Sequence, residues 1–439
     1  MSQNRSLEQG RLVGFFLCLM VAAYFLSIVV YTLMNYERYA AATPQLLRYV
    51  VAPGLIAIFF CLAGVFLRWR QSVIVGSCGL VILLPLFLFE AFLTVRTLPV
   101  HFAALGQLSE EQKAALESES NMVRGFTLGS LNRRAGVETL AESILSGFPR
   151  ARVVLCSPAE GVIVYSSDRL GFNNPDSVYD SPIDVVVLGD SFIEGFCLPP
   201  GKDVVSQLRS RDLNAVSAGI RGNGPLLELA TLGRYGPTLK PRHVVMAFFA
   251  GNDWRNFGFE LTEPWLRTAL QPGADFGPAN GPVSSINRAR EIMDEVTKKS
   301  VTTTDLFRRT PLLRNYFALH LTGRSLGLIY PKVPPTRPEF VDVLRRAKEI
   351  TESWNGRLSL LYVPQVDRYY GLFPTGFVHD QSRNQVLTAA DAAGVEVVDL
   401  VEKFHGKEDP TKFYAANGHF SEEGARVVAE VLVNHLIGR

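Results

Sequence analysis

The sequence predicts a membrane-anchored α/β protein: three apolar helices followed by a mostly parallel sheet covered by helices on both faces. The first hundred residues hold three apolar runs, Phe15 to Met34, Val50 to Leu67 and Val73 to Leu93. Each approaches the roughly 20 residues a bilayer-spanning helix requires. From Arg152 onward, short Val- and Leu-rich runs alternate with segments whose apolar residues recur at three- and four-residue spacing. That is the pattern of buried parallel strands separated by covering helices. At 439 residues the chain also exceeds one ordinary core. The expected division is a membrane domain over 1–96, a helical stalk over 97–150, and an α/β domain over 151–439 with an insertion at about 254–337.

The first apolar run is long and two more follow it, which argues for three spans and against a cleaved signal peptide. Arg5 and Arg11 precede the first run, and Arg68-Trp-Arg70 separates the second from the third, whereas Arg38, Arg48 and Arg96 fall on the other side. The slight bias places the N-terminus in the cytoplasm and everything after about residue 95 outside it. In a Gram-negative cell this is a multi-pass inner-membrane protein with a periplasmic soluble part. Glu90, near the outer end of the third run, reads as a carboxylate snorkelling to the interface. Pro53 and Pro85 are positions where the helices can kink. With three spans and one acidic group, this region reads as an anchor in membrane lipid or a docking surface for a membrane protein partner, not a pore or pump.

In the stalk, Leu108-Ser-Glu-Glu-Gln opens one helix through a serine cap, and Val137 to Gly147 is a second predicted helix. The predicted strands are Val153 to Cys156, Val162 to Tyr165, Val185 to Leu188, Val244 to Phe249, Leu358 to Val363 and Val395 to Leu400. The predicted helices are Lys202 to Arg209, Leu226 to Tyr235, Pro338 to Trp354, Asn384 to Ala393 and Ser421 to Ile437. The long stretch between the Val244 and Leu358 strands is an insertion with helices from Ile286 to Val296 and Thr304 to Leu321, returning in extended form from Tyr330 to Pro338.

Net charge is +2 and no basic stripe with interleaved aromatics occurs, which excludes nucleic acid as a partner class. No metal-ligand cluster or phosphate-cradling loop is present, so neither a metal nor another cofactor is expected. Cys18, Cys61 and Cys78 sit in the apolar runs. Cys156 and Cys197 are the two in the soluble part, where an extracytoplasmic setting allows them to form one disulfide.

Four pieces fall at presumed strand ends, as the sheet model requires of a shared site, the second after a further presumed strand. Val185-Val-Val-Leu-Gly-Asp-Ser-Phe-Ile-Glu-Gly195 ends a buried strand abruptly before a helix, presenting Ser191 at a helix N-terminus where backbone N–H groups favour negative charge. Ala218-Gly-Ile-Arg-Gly-Asn-Gly-Pro225 supplies glycines that let a backbone N–H approach a ligand. Gly251-Asn-Asp253 offers an amide side chain. Asn417-Gly-His419-Phe-Ser-Glu-Glu-Gly424 places an imidazole just before a helix.

In this order and spacing the four blocks resemble the SGNH (GDSL) hydrolases and acyltransferases over residues 152–439. The resemblance implies a flavodoxin-like three-layer α/β/α domain, with Ser191 as nucleophile and His419 as general base. It further implies an oxyanion hole made by the N–H of Ser191, the N–H of Gly222 and the side chain of Asn252. Gly219 and Gly224 compete with Gly222 for the second place. The family's aspartate two or three residues before the histidine is missing, since Asn417 and Ala416 stand there. Asn417 can accept from the imidazole but cannot balance an imidazolium. Asp409 or Glu408 are substitutes, and a Ser–His dyad or an inactive site are the other readings. Tyr165-Ser-Ser-Asp-Arg-Leu-Gly-Phe-Asn-Asn-Pro175 resembles a segment of membrane-anchored SGNH proteins of bacterial envelope and exopolysaccharide systems.

The resulting expectation is hydrolysis or transfer of an O-acyl group, usually acetyl, on an envelope carbohydrate. A lipid esterase or thioesterase and a non-catalytic glycan-binding or assembly module are the alternatives.

Overall fold

The computed structural model describes residues 2–39, 43–104, 108–119, 121–157, 161–298, 301–329, 334–372 and 375–438. The first four residues of the predicted extended return, 330–333, lie outside them. The chain divides into two compact units. One contains 1–107, 301–333 and 370–381, and the other 108–300, 334–369 and 382–439.

The first unit is built on α1 (Ser2–Met34), α2 (Ala52–Phe66) and α3 (Trp69–Ala104). Its segments Glu8–Met34, Thr43–Phe66 and Trp69–Pro99 are long and apolar enough to cross a membrane. Close approach of α1 and α3 requires glycine at 76, where a Cβ would stand 2.6 Å from that of Leu17 and 2.8 Å from the Cys18 nitrogen. The third apolar helix does not stop at residue 96 but runs to Ala104. Part of the predicted insertion groups with these helices. The single helix expected over Thr304 to Leu321 is three short ones, Thr303–Arg309, Leu312–Phe317 and His320–Ser325. Pro311 separates the first pair, and Leu319 in the left-handed region (φ 49°) separates the second. Glu90 is fully buried and accepts the N–H groups of Leu321 at 2.9 Å and Thr322 at 2.7 Å. The snorkelling expectation is thereby corrected, because partners distant in sequence satisfy the carboxylate inside the unit.

The second unit opens with a small sheet in which β1 (Met122–Arg124) pairs parallel with β2 (Arg152–Cys156), and β2 antiparallel with β3 (Ile163–Ser166). Its main sheet contains β4 (Val185–Gly189), β5 (Ala215–Gly219), β6 (His243–Phe249), β7 (Arg357–Val363) and β8 (Glu396–Asp399). All its pairings are parallel, in the order β5-β4-β6-β7-β8. This is the flavodoxin-like order, and it reverses at β4.

Alternate residues of each strand enter opposite cores, as a period of two dictates. Val186, Leu188, Val244 and Met246 pack with the helices Pro225–Leu239, Glu339–Glu352 and Gly376–Ala393. Val185, Val187, Val245 and Leu361 pack with the helices Val204–Arg209 and Glu422–Ile437. The domain is therefore three-layered α/β/α.

Residues 97–150 are helical only in part, with β1 and irregular chain between their helices. Ser109 caps a helix over Glu110–Ser118 as the sequence implied, but 137–147 is irregular chain with one turn at 140–142. Asn132 accepts the Ile144 N–H at 2.7 Å and donates to its carbonyl at 2.8 Å, while the buried Arg234 guanidinium takes the carbonyls of Leu140, Ala141 and Ser143. Those backbone groups would have formed the helix ladder, and side chains have claimed them instead.

Candidate active site

The main sheet's order reverses at β4, and open α/β sheets bind ligands beyond the strand carboxyl ends at such a point. There the chain turns through Asp190 into α4 (Ser191–Glu194). Asp190 is buried and accepts the Phe192 N–H at 2.9 Å, capping α4 and fixing the turn that carries the serine.

Ser191 Oγ lies 2.8 Å from His419 Nε2, within reach for proton transfer. His419 comes from the turn just before the last helix, Glu422–Ile437. The rings of Phe192 and Phe196 lie beside the imidazole, with centroids 4.9 and 4.5 Å away. When Nε2 accepts the Ser191 O–H, the imidazole proton sits on Nδ1. That nitrogen is buried and has no hydrogen-bond partner among the described residues.

Asn417 does not supply one. Its Oδ1 accepts the backbone N–H of His419 at 3.0 Å, and the side chain is exposed. Asp409 is committed to Thr411, accepting from its N–H and its hydroxyl. The arrangement is a Ser–His pair whose imidazole is held by packing. Asn417 is corrected from orienting residue to local turn former, because an Asn two residues ahead of a free N–H closes on that N–H more readily than on the side chain beyond it.

Asn252 is brought to the same place. Its Nδ2 donates to Asp190 Oδ2 at 3.2 Å, and the same oxygen lies 3.4 Å from Ser191 Oγ. Gly222 follows β5, the neighbour of β4, with φ 77°. The amides around it are spent: Arg221 N–H on Glu194, Asn223 N–H on the Ile220 carbonyl and Gly224 N–H on Glu260. The Gly222 and Ser191 N–H groups donate to no described residue. Gly224 thus leaves the contest for the second donor, and Gly219 lies within the β5 ladder. Cys156, at the end of β2, is bonded to Cys197, three residues past α4.

Four residues, Glu194, Arg221, Asn173 and Asp168, carry the site without having been assigned a role in the sequence. Glu194, nearly fully buried, receives Arg221 Nε and Nη2 at 2.9 Å each, the Arg221 N–H at 2.9 Å and the Tyr165 hydroxyl at 3.3 Å. Arg221 also donates to the Leu155 carbonyl at 3.2 Å. Asn173 donates to the Glu194 carbonyl, and Asp168 gathers the Leu170, Gly171 and Phe172 N–H groups. The Tyr165 to Pro175 segment is thus a brace for the nucleophile's helix. For Glu194 and Arg221 the signal in the sequence was an acid and a base in the turns that carry the Ser191 and Gly222 blocks, too common to stand out.

Burial, reinforced by the Arg221 charge, pulls the His419 pKa down to about 4. Burial pushes Asp190 up to about 6 against the hydrogen bonds it accepts from Phe192 and Asn252. A depressed imidazole stays neutral, and so able to accept the serine proton, well below its ordinary titration near pH 6.5. Any reaction that uses His419 as its base should therefore hold from pH 7 to pH 5 and fall away around pH 4. A kcat/KM profile inflecting near 6.5 would contradict this environment for His419.

No family model matches the chain, and no curated protein sequence matches it. Similar solved structures include TesA, at 14% identity over 58% of this chain and 99% of that one with a TM-score of 0.31. A catalytic mutant of Axe2, an acetylxylan esterase from Geobacillus stearothermophilus, is 15% identical over 58% of this chain and 94% of that one, with a TM-score of 0.31. A lipolytic G-D-S-L family member from Veillonella parvula is 14% identical over 58% and 99%, with a TM-score of 0.28.

Proposed function

We propose that this chain is a membrane-anchored SGNH-type serine esterase or O-acyltransferase, with its α/β domain outside the cytoplasm, acting on acyl esters of envelope carbohydrate. The observation that carries the reading is the 2.8 Å contact between Ser191 Oγ and His419 Nε2 at the carboxyl end of β4. His419 takes the serine proton as Oγ attacks the ester carbonyl, and returns it to the leaving alcohol. Water or a sugar hydroxyl then resolves the acyl-enzyme. The free N–H groups of Ser191 and Gly222 and the Asn252 amide are the proposed oxyanion donors. For Asn252 to serve, its Nδ2 must leave Asp190 Oδ2 or share its second hydrogen.

Asn252→Ala should lower kcat roughly 10²- to 10³-fold with little change in KM, because the donor acts on charge that develops only in the transition state. Unchanged kcat would remove Asn252 from the hole.

The carbohydrate assignment is supported by the resemblance of the Tyr165 to Pro175 segment to envelope-type proteins and by the three anchoring helices. It is tested by acetate release from O-acetylated polysaccharide, with a long-chain acyl ester and an acyl thioester in parallel. Preference for either of the latter would move the reading to a lipid esterase or thioesterase. One observation favours a second reading, a non-catalytic glycan-binding module: the unpartnered His419 Nδ1, which leaves an imidazolium unbalanced. Glycan binding by a chain inert toward every ester would establish it.

A further inference from the structure

The segment 303–325 carries an apolar surface for which the structure points to one occupant. Its short helices are tied to the apolar helices of the first unit. Tyr24 donates its hydroxyl to the Phe317 carbonyl at 3.1 Å, Arg314 donates to the Tyr39 hydroxyl at 2.9 Å, and Glu90 receives the Leu321 and Thr322 N–H groups. On the outside of this attachment Phe307, Leu313 and Phe317 are 54%, 60% and 59% exposed. Leu372 joins them at 76%, on a turn where Gly371 packs on the backbone of Gly327.

Depth identifies what meets these side chains. Glu90 stands 21 residues after Trp69 on one helix. At about 1.5 Å per residue that is about 31 Å, one hydrocarbon thickness from the Arg68-Trp-Arg70 turn. The residues held by Glu90 are therefore level with the far edge of the bilayer. The segment also carries four arginines, 308, 309, 314 and 324, against one acid, Asp305. Apolar side chains set among arginines at that depth have the composition of an interfacial element.

We propose that 303–325 and the 370–372 turn form a lipid-contacting collar, lying in the leaflet at the Glu90 end of the spans with Leu313, Phe317 and Leu372 against acyl chains. The inference rests on the reading of α1 to α3 as membrane spans.

The test is tryptophan quenching in the full chain reconstituted into phosphatidylcholine–phosphatidylglycerol vesicles brominated on the upper part of the acyl chain. Emission added by Phe317→Trp, and separately by Leu313→Trp, is compared with that of the unsubstituted chain. Leu84→Trp on α3 and Phe259→Trp on the second unit serve as references; both positions are exposed, at 62% and 59%. The collar requires the added emission at 317 and 313 to lose at least half its intensity, as at 84, with 259 unaffected. Quenching at 84 but not at 313 or 317 overturns the collar alone and assigns this surface to a protein. No quenching at 84 overturns the membrane reading beneath it.

Discussion

Ser191→Ala should abolish hydrolysis of an aryl acetate by the full chain, with kcat/KM falling roughly 10⁶-fold, as when a nucleophile is removed from a Ser–His unit. His419→Ala should cost about as much, and the double variant no more, because the two groups perform one proton transfer across 2.8 Å. Residual turnover in Ser191→Ala near the native level would refute the serine mechanism. Additive losses in the double variant would refute the pairing. The missing carboxylate makes the comparison informative: Nδ1 has no acceptor among the described residues, so the pair is expected to work without a third group.

Arg221→Met should destabilise the fold by about 3–5 kcal/mol, the usual consequence of leaving one member of a buried ion pair uncompensated. The Glu194 side chain is 2% exposed and that of Arg221 15%, so solvent cannot take over the lost partner. The urea midpoint at which esterase activity disappears is the readout, and a shift equivalent to less than about 1 kcal/mol would show that the pair is relaxed by other contacts. The same variant carries a second sign. Burial is the main cause of the low His419 pKa and the Arg221 charge adds to it, so removing Arg221 should move the acidic limb of kcat/KM upward from about pH 4 while burial keeps it below the ordinary imidazole value.

Much of the fold was legible in the sequence, for reasons that can be located. Val185 to Leu188, Val244 to Phe249 and Leu358 to Val363 are runs of β-branched and large apolar residues that only a strand buried on both faces accommodates. Ser191 was legible because a strand that stops at Gly-Asp-Ser must turn sharply there. β5 was harder to see, since Ala215-Val-Ser-Ala-Gly219 is small and packs under Ile193 and Glu194.

Two of the failures involve partners distant in sequence, and a third is a local closure. Val137 to Gly147 has helical spacing, but Asn132 and Arg234 take its backbone groups. Glu90 has the look of an interfacial acid, but two N–H groups from 321 and 322 hold it inside. Asn417 occupies the position of an orienting acceptor, yet its shortest closure is onto its own turn. Periodicity reports which face of an element is buried, and it carries no information on which distant side chain will claim a backbone group.

The bond between Cys156 and Cys197 links the small sheet to the chain just beyond the nucleophile's helix. That cross-link makes the setting of Ser191 a record of where the chain matured. A copy retained among cellular thiols would keep its sequence, its parallel sheet and its serine, but the turn after Glu194 would be held by its hydrogen bonds and packing without the covalent link. Only a copy that has crossed into an oxidising space acquires the covalent tie. On the proposed placement outside the cytoplasm, export and the closing of this link are successive stages of one process.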